Sequence, residues 1–266
     1  MHEWALRKED DLDDLSLVVQ ANPASWQDLA ALRARHDSPS MLPWQWARFA
    51  CGVWVSAEAW WIAAEDWNEL GPDEGVQELV PGERITLGFD GARVGDSTAL
   101  VACRVSDGLL ALLACWEAPG DLATWEVPAN EVDAVLAETM ERFKVLRGYL
   151  DPPLWRSEID QWAREYGDKV IVRYETARPK MMGAVERFRT DVATQRLHHS
   201  GDVTLTRHVL NAQTREARGG GYWLAKDRPG SSDKIDAAVA AVLAYEARAD
   251  VLAEGGNRSK VPVSWN

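Results

Sequence analysis

From residue 85 the chain runs through three apolar stretches of strand length: Ile85-Thr86-Leu87-Gly88-Phe89-Asp90, then Thr98 through Val105, then Leu109 through Trp116. Asp107-Gly108 separates the second from the third, and an Asp-Gly pair between two such runs is a hairpin signal. Three successive strands with short turns predict an antiparallel meander. Beyond Trp116 the period changes, and the apolar spacing predicts a helix over 130–143, a short strand at 148–151, a helix over 159–166 and a strand at 170–172. Further helices are expected over 180–192 and 204–214, a short strand at 222–224, and a long alanine-rich helix from Ser232 to about Leu252.

The first eighty residues read differently, as mostly helical. Ser25-Trp26 opens one amphipathic stretch, Leu42-Pro43 a second, and Trp60-Trp61 precede a break at Gly71-Pro72. The stretch from Gly71 to Gly82 holds two prolines, three glycines and several acids, the composition of a linker. The expected organisation is a helical segment and linker over 1–80, an α/β domain over 81–255 and a flexible tail over 256–266.

Composition narrows the function classes. The 266 residues are 46% hydrophobic, enough for one substantial core and a smaller appended segment. No run is long and apolar enough for a membrane span, and the N-terminus lacks the basic and apolar regions of a signal peptide, so a soluble protein of a cytoplasm is expected. Cys51, Cys103 and Cys115 form no CxxC pair and read as reduced core thiols. The net charge of -13 is unfavourable for a partner made of phosphates. Its distribution changes that picture, because residues 1–80 carry 15 acids against 5 Lys and Arg, while between Arg164 and Arg218 there are 11 Lys and Arg against 7 acids. A local basic face can bind DNA on an acidic protein, although an ordinary solvated surface has the same composition.

The chemistry resides in aspartates. Asp90 ends the first strand, Asp151 ends the fourth and precedes Pro152-Pro153, and Asp233 and Asp236 sit near the start of the final helix. Strand ends beside loops combine a rigid backbone with an open side chain, so three sequence-distant acids can converge there. Asp233 and Asp236, three residues apart, are expected on one helix face. Asp233 reads equally as a helix cap, and Asp96 as a turn residue. Carboxylates at an open site suit Mg2+ or Mn2+, and two such ions support in-line hydrolysis of a phosphodiester.

Together these residues carry a family resemblance. Gly88-Phe89-Asp90-Gly91-Ala92 with Asp96-Ser97-Thr98-Ala99-Leu100-Val101, then Tyr149-Leu150-Asp151-Pro152, then Asp233-Lys234-Ile235-Asp236-Ala237-Ala238, resemble in order and spacing the nuclease domain of viral (tailed-phage type) terminase large subunits. Ala21-Asn22-Pro23-Ala24-Ser25-Trp26 and the aromatic stretch from Trp44 to Trp54 are similar to the region that joins the packaging ATPase to that nuclease. The resemblance implies a ribonuclease H-like mixed sheet flanked by helices, which is also the predicted element order. It implies a metal-dependent endonuclease that cuts concatemeric double-stranded DNA during genome packaging in the cytoplasm of an infected host, with portal, small terminase subunit and procapsid as partners. Asp90, Asp151 and Asp236 would be the catalytic, metal-binding acids, with Asp233 near the metals and two Mg2+ or Mn2+ ions expected. No GxxxxGK[ST] loop is present, so the ATPase domain is read as missing from this chain.

Lys180, Arg187, Arg189 and Lys234 are candidates for backbone contacts with DNA, and solvated surface is the ordinary alternative for each. Gly219-Gly220-Gly221 reads as a mobile loop near the cleft or a hairpin turn. His198, His199 and His208 match no common zinc spacing and read as surface or packing residues. Two other classes stay open: a DNA-binding or motor-docking module without catalysis, and an actin- or sugar-kinase-like ATPase, which needs a second phosphate-binding hairpin and a larger second domain.

Overall fold

Asp14 accepts a hydrogen bond from the Ser16 amide at 2.9 Å, and this cap starts the first helix of the computed structural model, Leu15–Gln20 (α1). The structure describes residues 4–7, 10–12, 14–36, 46, 49–53, 59–72, 75–118, 124–175, 178–216, 221–226 and 233–258. The chain divides into two compact units, Met1–Trp60 and Trp61–Asn266. In the first, α1 and Leu29–His36 (α2) contribute Val18 and Leu32 to a small core completed by Trp46, Ala50, Cys51 and Val53. Asp28 caps α2 through the Ala31 amide at 2.8 Å, so that helix begins after Trp26, which stays exposed. The stretch at Leu42-Pro43 lies outside the described residues. Ala59–Trp60 forms a two-residue strand (β1).

The second unit takes in residues 61–80 as well: Trp61, Ile62, Trp67 and Leu70, around the short helix Ala64–Asn68 (α3), are buried in its core. Its sheet contains Arg84–Gly91 (β2), Thr98–Arg104 (β3), Leu109–Trp116 (β4), Lys144–Leu150 (β5), Ile171–Arg173 (β6) and His198–His199 (β7), in the order β6-β5-β2-β3-β4-β7. The meander β2-β3-β4 is antiparallel, as its pattern predicts. Strand β5 runs parallel to β2, β6 parallel to β5, and β7 parallel to β4. Helices Ala129–Arg142 (α4) and Arg156–Tyr166 (α5) pack on one face of the sheet. Arg178–Ala193 (α6), Val203–Asn211 (α7) and Asp236–Arg258 (α8) pack on the other. A hairpin of Gln213–Glu216 (β8) and Tyr222–Ala225 (β9) connects α7 to α8.

Four sequence expectations change. The helix expected to reach Thr214 stops at Asn211, because Ala212 is extended and the next residues pair in the β8-β9 hairpin. Of the glycine tract in its connection only Gly221 is described, with φ 83°. Strand β7, two residues long, is too short to leave a periodic signal. The last helix starts at Asp236, not Ser232, so Asp233 precedes it and the two aspartates do not share a helical face. That helix also continues to Arg258, and residues 259–266 lie outside the described residues.

Alternation along β2 decides how the two layers meet. Ile85, Leu87 and Phe89 join the core with α4 and α5, leaving Thr86, Gly88 and Asp90 toward α8. Thr86 Oγ1 donates to the Ala244 carbonyl at 2.7 Å, and a Cβ at Gly88 would lie 1.9 Å from the Ala240 carbonyl oxygen. Four helical residues rise about 6 Å and two strand residues about 6.7 Å. This register therefore carries the first turn of α8 to the level of Asp90. Gly88 and the buried alanines 237, 240, 241 and 244 permit the close approach. Gly88→Ala should accordingly cost about 3 kcal/mol, at the upper end of overpacking penalties, measured by denaturant unfolding. Wild-type stability in that variant would mean that the helix has room to retreat.

Candidate functional site

The Asp151 amide donates to the Phe89 carbonyl at 3.0 Å, extending the parallel β2-β5 pairing one residue past its last strand partner. Asp90 and Asp151 thus leave neighbouring strands side by side, and their carboxyl groups share a hydrogen bond. Asp236, 8% exposed, enters from the opposite element as the first residue of α8. Its Oδ2 accepts a hydrogen bond from Ser97 Oγ, a fully buried hydroxyl in the turn between β2 and β3. The same turn is fastened elsewhere by Arg93, which pairs with Glu158 and lies 4.3 Å above the Trp155 ring.

Crowding of acids in a desolvated place has a direct electrostatic cost. Burial raises the Asp90 carboxyl well above the ordinary range, and the charges of Asp236 and Asp151 raise it further. Burial likewise lifts Asp236 to about 6, reinforced by Asp96 and opposed by the Ser97 hydrogen bond. Asp96 behaves differently. Burial opposes its ionisation, but Lys226 Nζ at 2.6 Å and Lys234 Nζ at 2.9 Å outweigh that and hold it below the usual carboxylate range. A fixed negative charge balanced by two ammonium groups thus borders a set of acids that are hard to ionise together.

The other sequence candidates occupy different settings. Asp233 is exposed ahead of α8, and Lys234 also donates to the Gly95 carbonyl at 3.2 Å. Lys180 is exposed on α6 with its ammonium 5.7 Å from the Tyr174 ring centroid. Arg187 pairs with Glu246 at 2.9 Å, and Arg189 is half-buried on the same helix. Sequence reasoning treated Asp96 as a turn residue and did not single out Ser97 or Lys226. The turn reading of Asp96 was incomplete, because the side chain also binds two lysines from the region of β9 and α8. Lys226 had no local signal, since it reaches Asp96 only through the β8-β9 hairpin.

Of His198, His199 and His208, the last two are packed, while His198 is part-exposed beside Asp107. His199 stacks on Trp67 at 4.2 Å between centroids and bonds to its carbonyl, and His208 is fully buried. Among the described residues, Cys115, Glu117 and His208 form the group of potential ligands whose atoms all lie within 4.8 Å of one another. Cys115, which sequence reasoning set apart from the histidines, is brought to His208 by the packing of α7 on β4. Burial pushes its thiol up to about 12.

A mixed six-stranded sheet, its antiparallel meander continued by parallel strands and flanked by helices on both faces, is the ribonuclease H-like architecture. Two solved structures share the fold. The large terminase of bacteriophage HK97 matches with TM-score 0.56 at 20% identity, over 92% of this chain and 56% of that one. The large terminase nuclease from thermophilic phage G20c, solved with bound magnesium, matches with TM-score 0.51 at 13% identity, over 72% of this chain and 98% of that one. Residues 125–250 match the family described as terminase large subunit, endonuclease domain, and this segment is a domain of that family. The Gene 13 protein of Mycobacterium phage L5 is 36% identical over 223 residues, which cover 77% of this chain and 37% of that protein. The chain therefore spans little more than a third of the length of this curated relative. No helix among the described residues is long and apolar enough to cross a membrane.

Proposed function

We propose that this chain is the nuclease portion of a phage packaging enzyme, hydrolysing phosphodiester bonds of concatemeric double-stranded DNA with divalent cations held by Asp90, Asp151 and Asp236. The observation that carries the reading is the gathering of these three carboxylates from two strand ends and a helix start, where Asp90 and Asp236 resist ionisation without a counter-charge. The donor set fits a hard cation, because all its candidate ligands are carboxylate oxygens. A few carboxylates suit ions that retain some of their waters, Mg2+ or Mn2+, better than the nitrogen and sulfur ligands of a closed four-ligand cage would. Bound there as a pair, such ions supply an activated water and stabilise the leaving oxygen of an in-line displacement.

The chain's own groups then have separable roles. Ser97 orients the Asp236 carboxylate, while Lys226 and Lys234 keep Asp96 charged beside it. Lys180 is the exposed candidate for a phosphate backbone, Arg189 is half-buried, and Arg187, exposed as well, is available if its pairing to Glu246 is exchanged. Contacts of that kind position a duplex without reading sequence. Asp233, at the exposed approach to α8, would lie near the bound cations. Portal, small terminase subunit and procapsid are the expected partners, and the cytoplasm of the infected host the expected location.

Conversion of supercoiled plasmid to nicked and linear forms tests this reading. Wild-type protein should cut with Mn2+ or Mg2+ and not with EDTA, and Asp151→Asn should reduce cutting by about 100-fold or more. Duplex binding without cutting under either metal would instead favour a docking module that has kept the fold and lost the chemistry.

A further inference from the structure

The cluster of Cys115, Glu117 and His208 has the residue types of a zinc site, but its hydrogen bonds assign it another task. The Ala237 amide donates to His208 Nδ1 at 3.0 Å. An Nδ1 that accepts is unprotonated, so the neutral ring carries its hydrogen on Nε2. Nε2 therefore donates to Glu117 Oε1, 2.8 Å away, and has no lone pair to offer a metal. The second oxygen of Glu117 takes the guanidinium of Arg207 at 2.6 Å. Each polar atom of the pair is thereby occupied in one consistent direction, from the first turn of α8 through the ring to the carboxylate.

Ala237 is the residue after Asp236, and its amide belongs to the first turn of α8, where backbone N–H groups lack intrahelical acceptors. A second tether lies beside it: Asn211 Nδ2 donates to the Lys234 carbonyl at 3.2 Å. Both anchors come from α7, and Glu117 ties α7 to the end of β4. These bonds also account for the late start of α8, because the backbone before Asp236 is held by α7 and the first-turn amide is capped by the ring.

We propose that His208, oriented by Glu117, is a positioning residue for the metal-binding site, acting as a buried cap that fixes the first turn of α8 and thereby the carboxylate of Asp236. The inference rests on the reading of Asp236 as a metal ligand. His208 touches neither metal nor DNA in this role. Groups that orient ligands in this way commonly contribute about 10- to 100-fold to metal affinity.

The test is calorimetric titration of the folded protein with Mn2+, alongside the Mn2+ concentration giving half-maximal plasmid cutting. His208→Leu, which lacks an acceptor, should weaken Mn2+ binding about 10-fold or more. His208→Asn, which places an amide oxygen near the Nδ1 position, should recover most of that loss. If His208→Leu does not fold, Glu117→Ala against Glu117→Gln makes the same comparison at a part-exposed position, since only Gln keeps an acceptor for Nε2–H. Unchanged Mn2+ affinity in folded His208→Leu or in Glu117→Ala, with binding abolished in Asp236→Asn, would overturn the positioning role and leave the metal site standing. Wild-type protein that binds no Mn2+ would remove the metal reading, and this inference with it.

Discussion

Asp236→Asn is expected to eliminate metal-dependent cutting and, without divalent cations, to leave the protein at least as stable as wild type at pH 7.5. The two effects have one cause. Asp236 is 8% exposed and stands among Asp90, Asp151 and Asp96, so its ionised form is desolvated and repelled when no cation is present. Asparagine keeps the shape and an oxygen acceptor for Ser97 Oγ while removing the charge. The activity loss should be about two to three orders of magnitude, the scale on which removal of one preorganised electrostatic group acts. Plasmid cutting and metal-free denaturant unfolding, measured on the same preparations, check both halves. A variant that cuts at the wild-type rate would remove Asp236 from the site, whereas one that is markedly less stable without metal would make the carboxylate a structural group.

The second large effect concerns pH. In the folded protein Asp236 is raised from 3.8 to about 6, and Asp90 is raised as well. A group whose folded value lies above its unfolded value binds more protons in the folded state between the two, so stability falls as pH rises through that interval. For Asp236 the shift amounts to on the order of 3 kcal/mol, present below about pH 4 and lost as pH passes 6. His199 and His208 act oppositely in part of the same window. Burial lowers both, so the unfolded state binds more protons near their ordinary value and stability rises with pH there. The useful observable is therefore the difference between wild type and Asp236→Asn. Metal-free wild type should lose roughly 1.4 kcal/mol more than the variant between pH 5 and 7.5, and Mn2+ should abolish that difference by stabilising the ionised form. Parallel curves for the two proteins would show that Asp236 ionises as freely as an exposed aspartate.

These expectations depend on features that were unequally visible in the chain. Strand β5 starts at Lys144, four residues before the short strand expected from residue 148, because its first half is not fully buried. That Asp90 and Asp151 fall at strand ends was nevertheless legible, because an apolar run ending in Asp is a local pattern. The Asp107-Gly108 hairpin was legible for the same reason, with Arg104 Nη2 and Asp107 Oδ2 closing it at 2.7 Å. The start of α8 was not. Local propensity lets Ser232 and Asp233 begin a helix as readily as Asp236, and the choice was made by His208 and Asn211, some twenty to thirty residues earlier in the chain.

What the sequence determined by itself is the order of the main elements, their apolar faces and which acids stand near strand ends and the last helix, since these follow from side-chain chemistry repeated at the period of a strand or a helix. Tertiary structure alone decided which groups surround those acids. Ser97 on Asp236, two lysines on Asp96, and Glu117 through His208 on the first turn of α8 are contacts between elements far apart in the chain. Their formation depends on how closely an alanine-lined helix can approach a glycine in the central strand, a matter of packing that no local pattern records.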